Sequence, residues 1–112
     1  MERISHTKRM DLLLLILDKG RDVILPLILS RAASDENKMP DDKEYEVWKN
    51  AMIELKKIKQ IIIDSLPEDS RVNTAAFEQS LKENGLSKAY FPLVSVIDDT
   101  ELALKMMEEY DK

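Results

Sequence analysis

Two apolar runs, Leu12–Leu17 and Val23–Leu29, stand only five residues apart, and those five are Asp18, Lys19, Gly20, Arg21 and Asp22. A membrane-spanning helix needs about 20 apolar residues without charges. Four charges in the middle of this stretch would cost several kcal/mol in a bilayer, so no membrane span is expected. The first run is also short for the apolar region of a signal peptide, and Ala32–Ala33 lies too far beyond it to serve as its cleavage site. Both runs therefore read as the apolar interior of a helical domain.

Met10, Leu13, Leu14 and Leu17 follow the i, i+3, i+4, i+7 rule and form one helix face over about Ser5–Lys19. Leu12, Leu15 and Ile16 make that helix apolar nearly all round, which requires a central position or a second face against a partner. Gly20 is placed to stop it. On this reading Leu14 is core, and Leu14→Asp is expected to unfold or dissociate the protein. A second helix is expected over about Asp22–Ala33, capped by Asp22, with Pro26 introducing an irregular start or a kink.

After a polar loop at 34–42, Tyr45, Trp48, Met52, Leu55, Ile62 and Leu66 recur at helical spacing, with Ala51, Ile58 and Ile61 widening the stripe and Pro67 enforcing the end. Asn73 is an N-cap for a helix to Asn84, with Val72 able to staple to Phe77. Gly85 suits a left-handed stop in which Leu86 touches Leu81. Residues 87–97 read as a short helix interrupted by Pro92 or as an extended segment. A last helix is expected from Asp98 or Asp99, with Leu102, Met106 and Tyr110 on one line. The sum is an all-α, compact single-domain bundle of five or six helices over residues 1–112, frayed at about 1–4 and 111–112.

Composition narrows the chemistry. The 112 residues include no Cys, one His and two Gly, so disulfides, thiol nucleophiles and zinc–thiolate sites are excluded. The formal charge of −5 divides into +2 over residues 1–31 and −7 over 32–112. That balance argues against a dedicated nucleic-acid binder. No phosphate loop or nucleophile elbow is present.

The remaining candidates each lack a partner. His6 has Glu2 one turn away but no nucleophile or further ligands. The stretch 35–46 has the length of a calcium loop, yet Pro40 stands where that turn needs Gly and Met39 where it needs a ligand. The clusters Asp41/Asp42/Glu44/Glu46, Asp98/Asp99/Glu101 and Glu108/Glu109/Asp111 lack the Glu-x-x-His pairs of a di-metal bundle. Lys49, Lys56, Lys57 and Lys59 read as the solvated face of the third helix. No catalytic, metal-binding or cofactor-binding residue is therefore expected, and no enzyme, although an enzyme or ligand carrier with an enclosed pocket near Tyr45, Trp48 or Tyr90 is a further alternative.

Residues 74–97 resemble a helix-turn-helix, with Gly85 in the turn and Lys88 as the one base of the second helix. Residues 73–107 also loosely resemble the first half of a sterile alpha motif domain through Gly85–Leu86, Tyr90, Ile97–Asp98 and Leu102. The Tyr is one position off that pattern and no chain remains for its closing helices, so no binding surface is carried over. The sequence points to a cytoplasmic, non-enzymatic protein–protein interaction module or small regulator, of adaptor, inhibitor or immunity type, with a helix-turn-helix nucleic-acid binder as the alternative. Its partner is expected to be another protein or itself, as a homodimer. The expected interaction surface is Leu12, Leu15, Ile16, Ile24, Leu27 and Ile28.

Overall fold

A computed structural model describes residues 3–33 and 42–110, and every regular element among them is helical. Helix α1 (His6–Leu15) starts where Ser5 Oγ accepts the N–H of Lys8 at 3.1 Å, which satisfies one of the free donors of the first turn. Gly20 does not stop the chain. A π-helical turn (Ile16–Gly20) carries α1 directly into α2 (Arg21–Ala33). The expected break, with Asp22 as a cap, is thus replaced by one continuous rod, and Pro26 sits inside α2. Gly20 has an ordinary right-handed backbone, since Gly85 alone among the described glycines has positive φ.

Helix α3 (Asp42–Ser65) ends two residues before Pro67, the residue expected to enforce its end. Trp48, Ala51, Leu55, Ile58 and Ile62 are buried along it at alternating spacings of three and four. Ile61 is exposed instead of widening that stripe. A 3₁₀ turn (Glu68–Arg71) follows Pro67 and leads to α4 (Thr74–Glu83). Asn73 caps α4, accepting the Ala76 N–H at 2.8 Å. The helix closes as a Schellman motif: Gly85 at φ +69°, Leu86 N–H to Leu81 O at 2.9 Å and Gly85 N–H to Lys82 O at 3.2 Å. Leu81 and Leu86 are both fully buried. Val72 is 75% exposed and does not act as the expected staple; Phe77 instead meets Tyr90 edge-on at 5.4 Å.

Helix α5 (Ser87–Tyr110) replaces the two separate segments expected there. It passes through Pro92, and its buried line is Tyr90, Leu93, Ile97, Thr100, Leu104 and Met107. Leu102 and Met106, expected on the inner line, are 60% and 55% exposed. Thr100 sits in the core with its hydroxyl donating to the Val96 carbonyl at 2.7 Å, which satisfies that buried polar group.

The described residues thus form four rods: α1–π–α2, α3, α4 and α5. Helices α3 and α5 run antiparallel, fixed by Tyr45 Oη donating to Glu108 Oε1 at 2.7 Å near one end and by Lys56–Glu101 at 3.4 Å farther along. The first rod also packs on α3, where Trp48 Nε1 donates to Ser30 Oγ at 2.9 Å. Ile4, which the sequence places in a frayed end, donates its N–H to Asn84 Oδ1 at 2.8 Å. Asn84 in turn donates to the Ser80 carbonyl at 2.8 Å, so the start of the chain is tied to the end of α4.

The compact five- or six-helix bundle is not what these rods make. The molecule extends over 49 × 27 × 17 Å with a radius of gyration of 16.2 Å, against roughly 13 Å for a compact domain of this length. Its accessible surface is 7686 Å², where roughly 6,300 Å² is usual for a folded monomer of this mass.

Candidate interaction face

The residues expected to form an interaction surface divide by burial. Leu12 and Leu27 are core, at 4% and 1% exposure, and Leu15, Ile16 and Ile24 are partly buried against that core. Ile28 alone of the six is exposed. Conversely, Met10, Leu14 and Leu17, expected to be core, point outward. Leu13 alone of that expected face packs partly against the core: when nearly every position is apolar, spacing cannot say which side of the helix meets the protein.

The π turn settles the phase in the folded chain. A wider turn delays the rotation of everything after it relative to an unbroken α-helix. Leu12, Gly20 and Leu27 come to lie on the buried side. Met10 and Leu14 from α1, Leu17 from the π turn, and Leu25, Ile28 and Leu29 from α2 remain outward, at 40–66% exposure. These are six of the thirteen large apolar side chains that are exposed among the described residues, and they share one rod. From residue 10 to residue 29 the stripe is about 28 Å long at 1.5 Å per residue. Covering a half-exposed Leu contributes about 1 kcal/mol, so a partner over the whole stripe has several kcal/mol to gain.

Charge borders the stripe. Asp11, Asp18, Arg21 and Asp22 are all exposed on the same rod. Beside it, Leu15, Val23, Ile58 and Ile61 line an open groove of about 360 Å³ between the rod and α3, with Lys19, Asp22, Glu54 and Lys57 also lining it. Lys57 and Glu54 pair at 3.2 Å, so that edge is close to neutral.

A second cleft, of about 310 Å³, lies where the chain start meets the end of α4 and is lined by Arg3, Ile4, His6, Arg9, Lys82, Glu83, Asn84 and Gly85. Arg9 Nε and Glu83 Oε2 are buried there without a hydrogen-bond partner among the described residues. His6 is exposed at its rim, and Glu2 lies outside the described residues. So does most of the 35–46 stretch. No three His, Asp or Glu side chains converge among the described residues.

The aromatic side chains that would line an enclosed pocket do structural work. Trp48 is buried against Ser30, and Tyr45 is held by Glu108, whose hydrogen bond, followed by burial and by the nearby carboxylates, raises its pKa above 10. Tyr90 lines an open cleft of about 450 Å³ with Phe77 and Ile63. At the helix-turn-helix-like corner, Leu81, Leu86, Tyr90, Leu93 and Ile97 are buried, leaving Lys82 and Lys88 as its exposed cations. No described helix is long and apolar enough to cross a membrane.

No family model, curated protein or solved structure matches this chain.

Proposed function

We propose that this protein is a non-enzymatic protein–protein interaction module, a small regulator of adaptor, inhibitor or immunity type, that docks through the outward stripe of its first rod. One observation carries the reading: six large apolar side chains stay exposed along a single rod whose opposite side is already committed to the core. Contiguous apolar surface of that kind marks interaction sites. The partner is another protein or a second copy of this chain. The same reading places the protein in the cytoplasm, where a chain without cysteine is unaffected by reducing conditions.

The test is affinity capture from the native host with mass spectrometry, using wild type, the stripe variant Leu14→Glu/Leu25→Glu and the control Leu102→Glu on α5. A partner lost with the stripe variant and kept with the control supports the reading. Identical partner sets for all three overturn it.

A further inference from the structure

Four of the six residues of the outward stripe are laid out symmetrically, and that layout names its occupant. Met10 and Leu29 are equidistant in sequence from the Lys19–Gly20 peptide; so are Leu14 and Leu25, and so are Asp18 and Arg21. Two antiparallel copies of the rod, crossed at that peptide, bring Met10 onto Leu29 and Leu14 onto Leu25 twice over. The same register sets Asp18 of each copy beside Arg21 of the other. All six residues are exposed, so no core contact has to break for the faces to meet.

From this we infer that the protein self-associates as an antiparallel homodimer through α1–π–α2, closed at its centre by two reciprocal Asp18–Arg21 pairs. The inference rests on the interaction reading above and adds the partner and the register. A two-fold interface is built from the same patch on both copies, which is what residues symmetric about one point supply. Lys19 and Arg21 are the exposed cations between residues 10 and 29; in this register Lys19 falls opposite the buried Gly20, and Arg21 meets a carboxylate where in a parallel one it would meet its own copy. Leu17 and Ile28 fall opposite Asp22 and Asp11, which places those carboxylates at the rim.

The full chain tests this, by sedimentation equilibrium across a concentration series and by crosslinking. Wild type is expected to dimerise, and Leu14→Glu/Leu25→Glu to be monomeric with an unchanged helical circular dichroism spectrum. Asp18→Arg and Arg21→Asp each turn the central pairs repulsive and should weaken dimerisation roughly tenfold, while the double swap Asp18→Arg/Arg21→Asp restores it. Because the chain has no Cys, a mixture of Leu14→Cys and Leu25→Cys should give the mixed disulfide, and Leu14→Cys alone should give none. A monomer at every concentration, no restoration by the swap, or a Leu14→Cys self-crosslink would each overturn the homodimer. If wild type is monomeric while stripe variants still lose a captured protein, the homodimer fails and the interaction reading stands.

Discussion

The guanidinium of Arg9 lies across Gly85: a Cβ added to Gly85 would come within 2.7 Å of Arg9 Nε and 2.8 Å of Nη2. The left-handed turn after α4 is therefore specified twice, by its backbone angle of +69° and by a side chain 76 positions earlier in the chain. Arg9 also brings positive charge to the C-terminal end of α4, where the helix dipole favours it.

Gly85→Ala should destabilise by on the order of 1–2 kcal/mol, combining left-handed strain with the displacement of Arg9. Chemical denaturation of Gly85→Ala in wild-type and Arg9→Ala backgrounds separates the two contributions. A smaller loss in the Arg9→Ala background is expected, because the close approach is then gone. Equal losses would show that Arg9 does not press on the turn.

Gly20→Ala should have the opposite sign. A Cβ there meets nothing closer than Ile16 Cγ2 at 3.9 Å, and the backbone is helical. Replacing Gly by Ala at such a position stabilises by about 0.4–1 kcal/mol, mainly by restricting the unfolded chain. A lower melting temperature would mean that the π turn needs the glycine.

Leu14→Asp should leave the fold intact, because Leu14 is 50% exposed. Its unfolding free energy at concentrations below self-association should stay within about 0.5 kcal/mol of wild type. Leu93→Asp, at 1% exposure, should instead abolish cooperative unfolding by placing a charge in the core. Circular dichroism melts of both variants decide between this orientation of α1 and the reverse.

Asn84→Ala should cost about 1–3 kcal/mol, because Asn84 is buried and its amide serves Ile4 and Ser80 together. The readout specific to the clamp is amide hydrogen exchange at Ile4, which should lose its protection while α3 keeps its own.

Tyr90 should titrate late. Burial raises its pKa above 10, and the negative charge of Asp98 adds to the rise. The unfolded chain ionises this phenol first, so its stabilising effect is complete below about pH 10 and is lost as pH climbs through the folded value. Denaturation midpoints between pH 9 and 11 should fall less steeply for Tyr90→Phe than for wild type.

These particulars separate what could be read in the chain from what could not. The α3 stripe and the Asn73-to-Gly85 punctuation of α4 were legible because each depends on contacts within a few residues. Local bonds dictate them, and the fold has only to accept them. The orientation of α1 was not legible, since Leu12 and Leu14 are chemically identical and only the distant packing partner distinguishes them. Two features of helix α5 are not legible, for different reasons. Pro92 and the Asp98–Asp99 pair suggested a boundary that tertiary contacts override, and Thr100 hid the inner line because its hydroxyl bond to Val96 cannot be inferred from apolar spacing. The apolar runs of Leu12–Leu29 make exposed apolar surface on the first rod legible, but only Ile28 of the six expected residues is exposed.

The turn at Ile16–Gly20 has a consequence for how this chain tolerates change in length. Deleting one residue from it would shorten the rod by only about 1.5 Å, yet swing everything after it by on the order of 100°. Leu27 would leave the core, and Leu25 and Leu29 would fall out of line with Met10 and Leu14. Substitutions across this segment are thus far gentler than insertions or deletions, and viable relatives of the protein should vary in residue identity between positions 16 and 20 while keeping the count.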